Sequence, residues 1–385
     1  MNTDAVCFLL FIGALVSNGL VLKGSYQRRN AAQLAEYRRQ ELTFPSASKS
    51  LLLGYPAEML LAEVQIHDTT TQQSSTYVMS VETATDRMFF FNNPGFNENL
   101  ATSLSQQFTG EYKNYEVTGE RYSAFVSYKS LDEGPALVNQ TFAIVDPILS
   151  FDDTPIFQCD GLLGLGWSIE PDGNKGNDQN VVPPIRNILA SLAAPKEFYV
   201  LYVESPTQLP ANSSFEIAFG QDLPQCGPHI DYTSLFYKRT SDDGFLYIYL
   251  DGVRYGVQQL VPAGQTATVD SGSPIIGLPF QAWRQLLSRM PLDFNYPLEI
   301  YTTDCSDANT LEDLVFQIGG SELAVPASHY VADIGIGDGT CALLFDQIGD
   351  SMPINWILGL PFLQSRCVFF DLNANQFGFS ATTNE

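Results

Sequence analysis

Basic residues are scarce in this chain of 385 amino acids, where 19 Lys and Arg stand against 43 Asp and Glu. The formal net charge is therefore −24 at pH 7. Such a surface repels phosphate backbones and anionic lipid, so nucleic acids and membrane surfaces are disfavoured as partners. The charge fits an acidic medium, in which many carboxylates are protonated, and it fits simple solubility equally well.

Motifs for metal binding and for nucleophilic catalysis are also missing. The three His residues stand in no recognisable motif, and the sequence contains no CxxC, HExxH or GxSxG pattern. A structural zinc site and a Ser-His-Asp hydrolase are therefore disfavoured. We expect neither a metal ion nor another cofactor.

Long apolar runs are limited to one near the N-terminus, at residues 5–16. This run has the length of a secretory h-region and is too short to span a bilayer. We predict a signal peptide at 1–19, rather than a buried N-terminal strand, and no membrane span. The chain is then secreted or lysosomal. Glycosylation sequons at Asn139 and Asn212 agree with this route.

Apolar and turn-forming residues, in contrast, are plentiful. Hydrophobic residues make up 45% of the chain, and 29 Gly and 22 Pro accompany them. Beyond residue 50, apolar or alternating stretches of strand length follow one another with turn residues between them. Helical periodicity is restricted to two segments, VVPPIRNILASLA and PFQAWRQLLSRM. The sequence therefore predicts a mainly β protein, with antiparallel strands and no alternating βα units.

Residues 20–45 differ in charge from the rest of the chain. They hold five basic and two acidic residues, whereas residues 46–385 carry a net charge of −26. Ala, Gln, Leu, Glu and Arg favour a helix in this segment. We interpret it as a basic, propeptide-like segment that binds the acidic body. The alternative is a solvated N-terminal arm.

The chain repeats itself weakly. The segments SVETATDRMFFF (80–91) and TVDSGSPIIGLP (268–279) share a frame of Val, an acid, a hydroxyl residue, a small residue and a second hydroxyl residue. Their acids, Glu82 and Asp270, are 188 residues apart, and the later segments LLGLG and ILGLP are 195 apart. Two motifs in the same order at nearly the same spacing indicate two homologous lobes. We place these lobes at 46–205 and 206–385.

Several of these segments together resemble the pepsin-like aspartic proteases. The similar segments are CDGLLGLGW in the first lobe and, in the second, VDSGSPIIGLP, CSDANTLEDLVFQIGG, HYVADIGIGDGTCALLF and WILGLPFLQSRCVFFDLNANQFGFS. The resemblance covers nearly all of the chain past residue 50. It implies a mainly β, two-lobed fold with a cleft between the lobes, a polypeptide substrate or peptide ligand, and a monomer whose own propeptide is a partner.

The resemblance also implies a pair of catalytic carboxyl groups, Glu82 from the first lobe and Asp270 from the second. Two carboxyl groups that lie close together cannot both ionise cheaply, so they share one proton. The charged member draws a proton from a bound water, and the protonated member polarises the scissile carbonyl. Such a pair needs no covalent intermediate and no metal.

Supporting residues follow from the same resemblance. The first hydroxyl of each loop, on Thr83 and Ser271, is expected to bond across to the opposite loop. The second hydroxyl, on Thr85 and Ser273, is expected to bond the carboxylate of its own loop. Gly272 takes the small position of the second loop.

The flap that closes over substrate in this family carries a Tyr at its tip. Here the corresponding stretch reads NYEVTGERYSAF, with Tyr115 before a longer turn and Tyr122 after it. Neither matches the register of the family, so both remain candidates for the flap.

Departures from the family gather around the first loop. Glu82 replaces an Asp, Ala84 a Gly and Phe89 a Trp, while Leu360 replaces an Asp and Pro274 stiffens the second loop. Two alternatives stay open. The protein is an endopeptidase with reduced activity, or a catalytically inactive pseudoprotease that binds peptides or protein partners.

Five cysteines lie beyond the predicted signal peptide, so one thiol is left over even if two disulfides form. The resemblance implies a bond between Cys305 and Cys341. For the others we favour a bond between Cys226 and Cys367, with Cys159 left free.

Overall fold

The computed structural model describes most of the chain past residue 19. The predicted signal peptide and Asn212 lie outside the described residues. The described ranges are 20–28, 30–35, 58–92, 95–112, 115–128, 137–146, 150–151, 154–155, 159–166, 181–192, 197–205, 213–234, 236–239, 244–348 and 354–381.

Strands dominate these ranges, which confirms the predicted mainly β fold. They are β1 (Leu20–Arg28), β2 (Glu58–Asp68), β3 (Gln73–Glu82), β4 (Met88–Phe91), β5 (Thr102–Tyr112), β6 (Tyr115–Tyr128), β7 (Leu137–Val145), β8 (Ser150–Phe151), β9 (Thr154–Pro155), β10 (Gly161–Gly164), β11 (Phe198–Val203), β12 (Ser213–Phe219), β13 (Asp231–Ser234), β14 (Phe236–Arg239), β15 (Gly244–Leu250), β16 (Gly252–Tyr255), β17 (Gln258–Val261), β18 (Gln265–Val269), β19 (Ile276–Leu278), β20 (Asp293–Asn295), β21 (Ile300–Asp304), β22 (Leu314–Ile318), β23 (Ser321–Val325), β24 (Val331–Ala332), β25 (Thr340–Leu343), β26 (Phe345–Gln347), β27 (Trp356–Leu358), β28 (Arg366–Asp371) and β29 (Gln376–Ala381).

Helices are short. They are α1 (31–35), α2 (Pro184–Ala190), α3 (Phe280–Leu287), α4 (Ala327–Tyr330) and α5 (Leu360–Leu363), with single 3₁₀ turns at Glu98–Leu100 and Cys305–Asn309. The two helical segments predicted from the sequence contain α2 and α3. Among the described residues, no helix combines the length and the apolar character that a membrane crossing requires.

One large sheet joins the two halves of the chain. It has 13 strands in the order β13-β29-β28-β11-β12-β1-β2-β3-β10-β4-β7-β6-β5, so strands from both ends of the sequence share it. The second half adds smaller sheets, of which the largest runs β14-β15-β18-β27-β19-β26.

The same strand arrangement surrounds both repeated motifs. In the first half β10 pairs parallel with β3 and antiparallel with β4. In the second half β27 pairs parallel with β18 and antiparallel with β19. Glu82 ends β3, and Asp270 directly follows β18. The repeat in the sequence therefore corresponds to a repeat in the topology that positions both acids.

The N-terminal segment is a strand where the sequence predicted a helix. β1 pairs antiparallel with β12 on one side and with β2 on the other. Leu20, Leu22 and Tyr26 alternate along it and are buried. The helix prediction is therefore wrong for 20–28 and confirmed for 31–35, and residues 36–45 lie outside the described residues. Alternating apolar residues suit a strand that is covered on one face.

The cysteine pairing confirms the predictions. Cys226 is bonded to Cys367 and Cys305 to Cys341, while Cys159 is buried and takes part in neither disulfide. The first of these bonds ties β28 to the segment that precedes β13.

Candidate functional site

Reciprocal hydrogen bonds lock the two repeated loops together. The backbone N–H of Thr83 donates to Ser271 Oγ at 3.1 Å, and the N–H of Ser271 donates to Thr83 Oγ1 at 3.0 Å. Each hydroxyl also donates to a carbonyl just before the opposite acid, Thr83 to Val269 at 3.1 Å and Ser271 to Val81 at 2.9 Å. Both side chains are buried. Because all four bonds cross between the loops, neither loop can shift without the other.

Two glycines support the loops from behind. A Cβ atom placed on Gly164 would lie 2.4 Å from the carbonyl oxygen of Arg87. A Cβ atom on Gly359 would lie 2.1 Å from the carbonyl oxygen of Ile275. These are distances that real Cβ atoms do not adopt, so glycine is required for β10 and the end of β27 to approach the loops this closely.

The two candidate carboxyl groups both lie against Gly272. Oδ1 of Asp270 accepts a 2.8 Å hydrogen bond from the backbone N–H of Gly272. On the other side, a Cβ atom placed on Gly272 would lie 2.6 Å from Cδ and 2.9 Å from Oε2 of Glu82. The longer side chain of Glu82 therefore occupies the space that a side chain at position 272 would fill.

The second hydroxyls have other partners than expected. Ser273 Oγ donates to the carbonyl of Ile275 at 3.0 Å, so its hydrogen is directed there rather than to Asp270. Thr85 Oγ1 accepts a hydrogen bond from the N–H of Arg87 at 3.4 Å. Both hydroxyls therefore shape the turns of their own loops.

A buried hydroxyl that was not among the predicted site residues precedes each acid by two residues. Ser80 Oγ donates to Oε1 of Glu82 at 3.4 Å and is 2% exposed. Thr268 holds the same position before Asp270 and is 4% exposed. They stand one residue before the repeated frame, in Ser-Val-Glu and Thr-Val-Asp, so extending the comparison of the motifs by one residue upstream would have found them.

The turn expected between Tyr115 and Tyr122 is wrong, because both residues lie in the continuous strand β6. The candidate flap is the hairpin of β5 and β6, whose strands meet at the pair Tyr112–Tyr115. Tyr112 and Tyr115 face each other across its tip, and Tyr115 begins β6; its side chain lies outside the described part of the chain. Tyr122 lies further along β6, pairs with Ser103 and packs against the main hydrophobic core. Burial raises the pKa of the Tyr122 hydroxyl, and the charge of Glu120 adds to this.

Aromatic and cationic side chains connect this hairpin to the first loop. Phe89, at the position of the family's Trp, is fully buried and lies 6.3 Å from Phe108 of β5, between ring centroids. The guanidinium carbons of Arg87 and Arg121 lie 6.0 Å and 5.5 Å from the centroid of Phe108. Cations over an aromatic face are attracted to it. Burial, followed by the charge of Arg87, lowers the pKa of Arg121.

Within the part of the chain that the structure describes, no group of three or more His, Cys, Asp or Glu side chains is placed to hold a metal ion.

The chain is similar in sequence to known proteins. A family model described as eukaryotic aspartyl protease matches residues 66–382. Aspartic protease 1 of Caenorhabditis elegans is 28% identical over 229 residues, which are 59% of this chain and 55% of that protein. The chain thus spans about half the length of that relative. Aspartic protease 17 of the same organism is 25% identical over 311 residues, 78% of this chain and 75% of that one.

A vertebrate protein and a solved structure are also similar to this chain. Renin of Ovis aries is 25% identical over 280 residues, covering 71% of this chain and 65% of that protein. The crystal structure of an aspartic proteinase from Irpex lacteus superposes with a TM-score of 0.72 at 16% identity, over 95% of this chain and 98% of that one. This structural likeness confirms the two-lobed fold that the resemblance implied.

Proposed function

Because the chain belongs to the eukaryotic aspartyl protease family, we propose that it hydrolyses peptide bonds within polypeptides, with Glu82 and Asp270 acting as one catalytic unit. The observation that carries this proposal is the approach of both carboxyl groups to Gly272. The locked loops of Thr83 and Ser271 hold that arrangement.

The reaction follows from one proton shared by two carboxyl groups. The ionised carboxylate takes a proton from a water, whose oxygen attacks the peptide carbonyl carbon. The protonated carboxyl group donates its proton to the carbonyl oxygen. When the tetrahedral intermediate collapses, the C–N bond breaks, the carboxyl group that took the proton from the water donates it to the leaving nitrogen, and the other carboxylate takes a proton from a hydroxyl of the intermediate. The two side chains exchange roles over the cycle, and no bond to the enzyme forms.

We propose that the rate is reduced relative to a site with two aspartates. The extra methylene of Glu82 displaces its carboxylate by roughly the length of a C–C bond, and a misplacement of about 1 Å can cost about 10²-fold in rate. Ala84 adds a Cβ where the family has none. These two changes also favour the second candidate, a pseudoprotease that binds peptides without cutting them.

The flap residue we propose is Tyr115. Its place at the tip of the β5–β6 hairpin suits a side chain that closes over a substrate. Tyr122 packs against the core instead, which suits a structural role. Phe108, which pairs with Gly119 in the middle of the hairpin, lies beside both arginines.

The segment 20–45 is proposed to be a propeptide that covers the site until it is removed. Leu34 of α1 is fully buried in an apolar cluster that contains Ile275, five residues after Asp270. The N–H of Ala31 donates to the carbonyl of Ile334 at 2.6 Å. These contacts bring the basic segment to the second loop, where its charge complements that of the acidic body.

A secretory route completes the proposal. The signal peptide at 1–19 would direct the chain to a secreted or lysosomal location, where an acidic medium suits a shared proton. Asn139 is exposed on β7, as a glycosylation acceptor must be. We propose that the protein acts as a monomer.

Cleavage of unfolded haemoglobin or casein at pH 3–5, with and without a statine-type inhibitor, tests the function. An endopeptidase cuts these substrates and is blocked by the inhibitor. A protein that binds the inhibitor in calorimetry but releases no peptide fragments is the pseudoprotease. The starting material is the full chain, and intact mass after acid incubation shows whether segment 20–45 has been removed.

A further inference from the structure

We propose that Ser80 is a positioning residue that holds the carboxylate of Glu82 in place and so offsets its extra methylene. This inference rests on the proposed function and deepens it. It explains how a glutamate works at a position built for an aspartate.

The strand geometry places the two side chains together. Residues two apart on a strand point to the same face, so Ser80 and Glu82 project together from β3. The Ser80 hydroxyl donates to Oε1 of Glu82 at 3.4 Å. Oε2 is the oxygen that lies over Gly272. One carboxylate oxygen of Glu82 is thus directed to its own strand and the other to the second loop.

The surroundings of Ser80 indicate that its hydroxyl has this role. Its backbone neighbours in the sheet are Leu61 on β2 and Leu162 on β10, and it is 2% exposed. A hydroxyl buried beside aliphatic residues costs free energy unless it makes a hydrogen bond. The bond to Glu82 meets that need, and an aliphatic residue would pack as well here if no carboxylate had to be held.

The contact depends on the length of the glutamate. The hydrogen bond is already long at 3.4 Å. Removing one methylene draws the carboxylate back by roughly 1.5 Å, beyond hydrogen-bonding distance of Ser80. Ser80 should therefore matter to Glu82 and be indifferent to an aspartate at the same position.

A double-mutant cycle tests this dependence. In the wild-type background, Ser80→Ala is expected to lower kcat about fivefold and to leave KM within about twofold. The lost hydrogen bond holds a carboxylate that takes part in the chemical step and does not contribute to substrate binding. In the Glu82→Asp background the same substitution is expected to change kcat by less than about 1.5-fold. An equal loss in both backgrounds, or no loss in either, overturns the proposal.

Ser127 provides a matched control. It is also a buried hydroxyl of the first half, 1% exposed, and bonds His67 Nε2 at 2.6 Å. Ser127→Ala removes a buried hydrogen bond away from the site. Its effect on kcat should be small and equal in the two backgrounds.

A second readout keeps this inference separate from the proposed function. Thermal unfolding midpoints at pH 7 are measured for the same four proteins. Ser80→Ala should lower the midpoint more in the wild-type background than in the Glu82→Asp background, because only the glutamate is held. Absence of cleavage by the wild type would refute the proposed function, and the unfolding cycle would still decide on Ser80. Equal shifts in both backgrounds would refute the positioning role.

Discussion

Glu82 carries one methylene more than Asp270, and Gly272 is the residue that leaves room for it. If the reduced activity that we propose comes from Glu82 and Ala84, substituting these two residues should raise it. We expect Glu82→Asp combined with Ala84→Gly to raise kcat/KM for peptide cleavage at acid pH at least tenfold, which corresponds to about 1.4 kcal/mol of barrier. Because both changes act on one carboxylate and its water, the double variant should exceed the combined effect of the single variants.

The single variants are the controls for that experiment. An unchanged rate in a correctly folded double variant would contradict the account. It would mean that another part of the site limits the cleavage rate, and the hairpin around Tyr115 would be the next candidate.

His329 should make the fold less stable in acid. Burial, followed by the charge of Arg366, lowers its pKa from the usual 6.5 to about 4. As the pH falls below 6.5, His329 becomes protonated in the unfolded chain but stays neutral in the folded chain until about pH 4. Stability is therefore lost across this window, by about 3 kcal/mol between pH 7 and pH 4.

His329→Gln should remove this loss, measured as the unfolding free energy in denaturant at the two pH values. The Gln side chain can still donate to the carbonyl of Pro361, which His329 contacts. His229, whose side chain is 88% exposed, is the matched control, and His229→Gln should leave the loss unchanged. A His329→Gln variant that loses as much stability in acid as the wild type would refute the assignment.

Which atoms meet in the site was predictable only in part. The crossed contacts of Thr83 and Ser271 were implied by the family resemblance, and the structure contains them. The direction of the Ser273 hydroxyl was not predictable, since a carbonyl two residues later competes for its single hydrogen. Such local competition depends on backbone angles that the motif does not encode.

Among the elements, β1 makes the N-terminal segment part of the body. Tyr26 is fully buried, and its hydroxyl accepts a hydrogen bond from Gln364 at 3.3 Å. We expect Tyr26→Ala to lower the unfolding free energy by about 3–5 kcal/mol, as for other buried aromatics. Lys23 on the same strand pairs with Glu216 and is 43% exposed in its side chain. Lys23→Ala should cost under about 1 kcal/mol.

Denaturant unfolding of the uncleaved chain measures both variants. Equal and small effects would show that β1 is not integral to the fold, which favours the solvated arm considered from the sequence.

The same element shows why the sequence misled. Residues 20–45 are rich in helix-forming residues, and α1 does form at 31–35. In 20–28, however, Leu20, Leu22 and Tyr26 alternate, and two neighbouring strands offer backbone partners on both sides. Pairing with two distant strands outweighs the helix propensity of this segment, because intrinsic helix propensity is only a weak preference. Partners such as β12, nearly two hundred residues away, are not readable from the segment itself.

At the scale of the molecule, the repeat was the most predictive signal. The spacing of the two acids and of the two glycine turns predicted two similar halves, and β3-β10-β4 and β18-β27-β19 are arranged alike. The sharing of one 13-stranded sheet by strands from both ends of the chain was not predictable, because sheet order depends on contacts distant in sequence.

The two halves are symmetric in backbone and unequal in chemistry. Each contributes one acid, one crossed hydroxyl and one supporting glycine, yet one acid is a glutamate two residues before an alanine and the other an aspartate two residues before a glycine. A cleft of this kind works only if both halves supply their carboxyl group. The central claim is therefore that Glu82 and Asp270 act as a unit.

Cleavage of an unfolded protein substrate between pH 3 and pH 5 by the wild type and by Asp270→Asn tests that claim most directly. We expect measurable cleavage by the wild type and none by the variant at any pH, with the variant's fold intact by circular dichroism. Residual activity of Asp270→Asn above about a tenth of wild type would mean that the substitution raises the barrier by less than about 1.4 kcal/mol. That result would contradict the paired role of Glu82 and Asp270.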